Sequence, residues 1–71
     1  MSNEAVNTYV IYDHPSDYPN SFAVRRFEWA TPMELIGIAD TLDQARALLP
    51  SGLYNLGRTH KDDPKIVEVW I

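Results

Sequence analysis

Hydrophobic positions in this chain follow a two-residue alternation in four stretches and a helical spacing in one. Residues 8–12 (Thr-Tyr-Val-Ile-Tyr) are β-branched or aromatic throughout, which predicts a strand. Tyr9 and Ile11 fall on one face and Val10 and Tyr12 on the other, so both faces are apolar and the strand is expected in the middle of a sheet. Residues 22–29 predict a second strand with two readings. Strict alternation sets Phe22, Val24, Arg26 and Glu28 opposite Ala23, Arg25, Phe27 and Trp29, whereas a bulge at Arg25-Arg26 gathers Phe22, Val24, Phe27 and Trp29 on one side. A third strand is expected over 34–39, with Ile36 and Ile38 on one face and Leu35, Gly37 and Ala39 on the other. Gly37 there marks a bulge or a close backbone approach.

The helical spacing lies in residues 42–49, where Leu42, Ala45, Leu48 and Leu49 form one stripe. Thr41-Leu-Asp-Gln44 reads as a capping box, the hydroxyl accepting from the Gln44 amide while the Gln44 side chain returns to the Thr41 amide. Pro50 and Gly52 stop the helix. A last strand is expected over 66–71, with Val67, Val69 and Ile71 as the better core face and Ile66, Glu68 and Trp70 opposite.

Residues 1–7 are polar and expected to be disordered. Residues 13–21 hold two prolines among Asp, Asn and Ser, which is turn chemistry. Residues 51–65 predict a long connection, its first half pinned to the core by Leu53, Tyr54 and Leu56, its second half polar and exposed. The order β-β-β-α-β predicts one small α+β domain over residues 1–71, a four-stranded, mostly antiparallel sheet with one helix on one face. A last strand returning to lie parallel to the first gives spatial order 3-2-1-4. A direct right-handed return beside the third strand is the alternative. In either arrangement the helix covers one side of the sheet.

Composition narrows the function classes. With 71 residues there is room for one domain, and 45% hydrophobic content is that of a folded chain. No cysteine is present, so disulfides and thiolate metal sites are excluded, and a cytoplasmic setting is expected. No apolar run is long enough to span a bilayer, and the first residues lack the pattern of a signal peptide. A net charge of −4 gives no general attraction for nucleic-acid phosphates.

His14-Pro-Ser-Asp-Tyr-Pro19, Phe22-Ala-Val-Arg-Arg26, the helical stretch 39–50 and Asp62-Asp-Pro-Lys-Ile-Val-Glu-Val-Trp70 together resemble a group of short uncharacterised bacterial and phage proteins. The resemblance implies a stand-alone cytoplasmic protein of a bacterium or its virus, and implies no catalytic residue or cofactor.

Three constellations carry candidate chemistry. Asp13, His14 and Asp17 in one loop and His60, Asp62 and Asp63 in another would make a divalent-metal or acid–base site if the loops met. A parallel last strand would set those loops at opposite ends of the sheet, and turn chemistry explains each loop by itself. Arg25 and Arg26 point to opposite faces, to pair with Glu28, Glu34 or Glu68 or to hold an anion or partner. Tyr12, Arg25, Arg26, Trp29 and Trp70 are the residues expected on a helix-free contact surface, since aromatics and Arg are enriched where proteins bind. No phosphate loop, nucleophilic triad or diagnostic metal spacing is present. The expected function is a non-enzymatic interaction module working through its open sheet face or an edge strand, with a protein partner or a second copy. The alternatives are a small ligand- or metal-binding protein or enzyme using the His14 and His60 loops, and an acidic nucleic-acid mimic.

Overall fold

A computed structural model describes residues 6–29, 31–57 and 64–71. The elements run β1 (Asn7–Asp13), β2 (Phe22–Glu28), β3 (Thr31–Ala39), α1 (Leu42–Ala47), β4 (Asn55–Gly57) and β5 (Ile66–Trp70). They form a small α+β fold: one five-stranded sheet in the order β3-β2-β1-β5-β4, antiparallel at every pair, with α1 on one face.

Several expectations are corrected. The sheet has a fifth strand, because β4 adds to β5 inside the stretch read as a structureless connection. Tyr54 extends that pairing, exchanging both backbone hydrogen bonds with Ile71 at 2.8 and 3.0 Å. Of the three pins assigned to this stretch, Leu53 is half-buried, whereas Tyr54 and Leu56 are exposed and backbone pairing anchors the strand there. The last strand is also antiparallel to β1, with Tyr9 opposite Trp70 and Tyr12 opposite Ile66. Its start therefore lies beside the end of β1, where the Asp13 amide donates to the Lys65 carbonyl at 2.7 Å.

The β1–β2 register is regular from Asn7↔Glu28 to Asp13↔Phe22, so β2 follows strict alternation and carries no bulge of its own. The irregularities sit in β3, one between the partners of Val24 and Arg25 and a second between those of Arg25 and Phe27. Val24 faces Gly37 while Arg25 faces Leu35, leaving Ile36 as the extra residue. Ile36 thereby turns to the helix side and packs on the core, while Ile38, opposite Ala23, goes to the other face. The expected pairing of Ile36 with Ile38 is undone by that one residue.

The core lies between sheet and helix. Ile11, Val24 and Ala45 are fully buried, with Phe22, Ile36, Ala39, Leu42, Leu49 and Trp70 around them. Gly37 borders the bulge and is closely approached: a Cβ there would lie 3.0 Å from the Leu48 side chain. The helix begins as its cap predicts, Thr41 Oγ1 accepting from the Gln44 amide at 3.1 Å. Gln44 reaches one residue further back than expected, to the Asp40 amide at 3.2 Å.

From Glu68 onward the faces of β5 are reversed from expectation, while a register shift between the partners of Ile11 and Tyr12 leaves Ile66 opposite Tyr12. Glu68 and Trp70 turn under the helix, and Val69 takes the other side opposite Val10. A carboxylate is accommodated there because it is fully occupied. Arg46 of α1 binds it through Nε at 3.0 Å and through Nη2, and the Trp70 indole Nε1 donates to it at 3.0 Å. This pairing staples the helix to β5.

Candidate functional site

The strict alternation of β2 and its registers place three cross-strand rows on the helix-free face. Tyr12, Ala23 and Ile38 form the first, Val69, Val10, Arg25 and Leu35 the second, and Thr8, Phe27 and Pro32 the third. Arg25 stands at the middle, with apolar side chains ahead, behind and on both sides. The loop 14–21 folds over the first row. It is closed by His14 N–H to Ser21 O at 3.0 Å and tightened by Tyr18 N–H to Pro15 O at 2.9 Å, and it buries Pro15.

Floor and loop enclose a half-open groove of about 500 Å³. Tyr12, Ala23, Arg25, Phe27, Pro32 and Leu35 make its floor, Pro15, Ser16 and Asp17 one wall, and Lys65 part of the rim. The Arg25 guanidinium is aimed by Nη1 donating to the Met33 carbonyl at 2.8 Å. Its Nη2 faces the exposed Asp17 carboxylate at 4.0 Å, a Coulombic pairing outside hydrogen-bond range. The Lys65 ammonium donates to the His14 carbonyl at 3.2 Å.

The five residues expected on the contact surface are divided by the fold. Tyr12 and Arg25 meet in the groove. Trp70 lies on the opposite face, packed against the core. Arg26 is on that face too, held by Glu34 through two bonds of 2.9 Å, by Glu28 at 2.7 Å and by the Asn7 side chain at 2.8 Å. These carboxylates raise the Arg26 pKa beyond its usual range, first through Glu34 and then Glu28, while Arg26 in turn lowers that of Glu34. Trp29 is exposed at the β2–β3 turn with φ of 56°, its amide donating to the Val6 carbonyl at 2.9 Å. A left-handed conformation suits a two-residue hairpin turn and is uncommon for so large a side chain.

The histidine loops are placed as follows. His14 pairs through Nδ1 with the Asp13 carboxylate and sets its ring edge against Phe22, centroids 5.3 Å apart. Asp17 turns instead toward Arg25. His60, Asp62 and Asp63 lie outside the described residues. Among the described residues no group of three or more His, Cys, Asp or Glu is gathered for a metal ion, and no helix is long and apolar enough to cross a membrane.

Phe27, Leu35, Pro15 and Pro32 belong to the groove and were not singled out in the sequence. The strict reading of β2 does put Phe27 beside Arg25. Leu35 and the prolines depend on the β3 bulge and on a loop path that no periodicity encodes. Comparison of the chain with protein-family models, curated proteins and solved structures gives no match.

Proposed function

We propose that this is a non-enzymatic interaction module of the bacterial or phage cytoplasm, contacting a protein partner through the helix-free face of its sheet. The observation that carries the reading is the groove around Arg25, a guanidinium set among Tyr12, Phe27 and Leu35 on the face that the helix leaves open. An arginine ringed by aromatic and apolar side chains is the composition of binding hot spots, where desolvation strengthens each polar contact. In the same cross-strand row Val10 is buried and Val69 half-buried, so the contact area of this face is centred on the groove itself.

The test places a benzophenone side chain at Phe27 in the groove, or at Asp43 on the outer side of the helix, where the side chain is 93% exposed. Irradiation in the native host is expected to give a discrete adduct from the Phe27 position and none from Asp43. An adduct of twice the chain mass would identify the partner as a second copy. Adducts from Asp43 alone, or from neither position, would overturn the reading.

A further inference from the structure

We propose that the chain self-associates through the outer edge of β4, Asn55 pairing with Asn55 of a second copy across a twofold axis. The proposal goes beyond the groove reading and uses the far edge of the sheet, so each can stand without the other.

The β4–β5 register decides which backbone groups point outward. Tyr54 uses both its N–H and its C=O on Ile71, at 2.8 and 3.0 Å. Successive residues of an antiparallel strand turn these groups to alternate sides, so Asn55, opposite Trp70, directs its amide and carbonyl away from β5. β4 is the last strand of the sheet, and among the described residues no backbone group takes either of them. The Asn55 side chain is on the helix side, where it hydrogen-bonds Glu68. Alternation therefore sets Tyr54 and Leu56 together on the other side, 77% and 59% exposed.

These three residues are complementary to themselves. An antiparallel pair centred on Asn55 exchanges both N–H···O=C bonds between the copies. It also sets Tyr54 of each copy against Leu56 of the other, at the closely spaced, non-hydrogen-bonded positions. A twofold contact needs such self-matching, since each group offered by one copy meets the same surface on the other. Residues 53–57 carry no charge, so no like charges are opposed there. The opposite edge differs. β3 carries Pro32, Glu34 and two register irregularities, all devices that keep an edge strand from pairing. β4 has a bulge as well, and the Gly57 amide donates to Asn55 Oδ1 at 2.7 Å, which ends the pairing after Leu56. So short a contact makes a weak dimer, with Kd on the order of 0.1–1 mM. Copies joined in this way share one continuous sheet with both helix-free faces on the same side, and both grooves stay open.

Sedimentation equilibrium from about 10 μM to about 2 mM is expected to show the mass rising toward twice that of the chain. The amide resonances of Tyr54, Asn55 and Leu56 should shift over the same range. Leu56→Lys, at an exposed position, is expected to weaken association about tenfold or more while the rest of the spectrum is kept. The chain has no cysteine, so single replacements report the register. An equal mixture of Tyr54→Cys and Leu56→Cys chains under mild oxidation is expected to give mostly the mixed disulfide. The two positions face each other about 4.5 Å apart, whereas each stands about 7–8 Å from its own counterpart, beyond disulfide reach. Self-disulfides equal to or above the mixed product would overturn the pairing on Asn55. A dimer whose shifts fall on Arg25 and Phe27 and spare β4 would overturn the edge contact and make the second copy the groove's partner. A monomer at every concentration would overturn the proposal and leave the groove reading as it stands.

Discussion

Glu68 shows how much one side chain decides in so small a core. It is the one buried charged residue among those described, and its carboxylate joins β5 to α1 through Arg46 while accepting from the Trp70 indole. The Arg46 hydrogen bonds lower its pKa below the ordinary 4.5, against the opposing effect of burial. A carboxyl whose pKa falls on folding contributes stability above its unfolded value, and that contribution is lost as pH drops through the folded one. Stability of the chain is therefore expected to decline below about pH 4.5 in urea titrations. Glu68→Gln should be less stable at pH 7 and lose less on acidification, keeping the part of the acid slope that belongs to Glu34, which Arg26 lowers in the same way. An unchanged acid slope in Glu68→Gln would remove Glu68 from this role. The sequence gives Glu68 its alternation partners and no hint of its side. An all-apolar set of Val67, Val69 and Ile71 looks the better core until the Arg46 and Trp70 contacts are known, and both depend on where a helix lands.

At the scale of elements, what was legible follows from how local each signal is. The helix is written in contiguous residues: a hydroxyl at Thr41, an amide at Gln44, leucines on one stripe and Pro50 beyond. It forms over Leu42–Ala47 with Ala45 fully buried. Six residues do not hold a helix in water by propensity, so cap and packing together fix where it starts. Thr41→Ala is accordingly expected to cost about 1 kcal/mol in urea denaturation. Gln44→Ala, which gives up only the bond to the Asp40 amide, should cost less. The reverse order would show that the glutamine is the principal cap. By contrast, β4 was illegible because it is three residues long and held by backbone pairing, with Leu56 exposed. The bulge at Ile36 was hidden as well. Gly37 announced a bulge or a close approach, but which neighbour becomes the extra residue is settled by register against β2.

Across the whole molecule, the sheet separates two kinds of surface. The helix side holds the fully buried cluster and the ion pairs of Arg26 and Arg46; the other side holds the buried Val10 and Ala23 and the groove, roofed in part by loop 14–21. That the helix covers one side was readable from the chain, since one amphipathic stretch cannot shield both faces. That the groove centres on Arg25 was half readable: alternation gave its side, and only the β1–β2 and β2–β3 registers supply Tyr12 and Leu35 as neighbours. Leu35 and Ile36 make the division measurable. They are adjacent in β3, both half-buried, and the bulge sends Ile36 under the helix while Leu35 lines the groove. Ile36→Ala leaves a cavity in a packed layer and is expected to cost about 2–3 kcal/mol. Leu35→Ala leaves a wider groove that water already enters, so it should cost about 1 kcal/mol or less, with the denaturant slope unchanged. If the face is a contact surface, the same Leu35→Ala change should weaken the Phe27 adduct although the fold is kept. Equal losses of stability at both positions would mean that the groove side is packed as tightly as the core, and would remove the physical basis for a contact surface there.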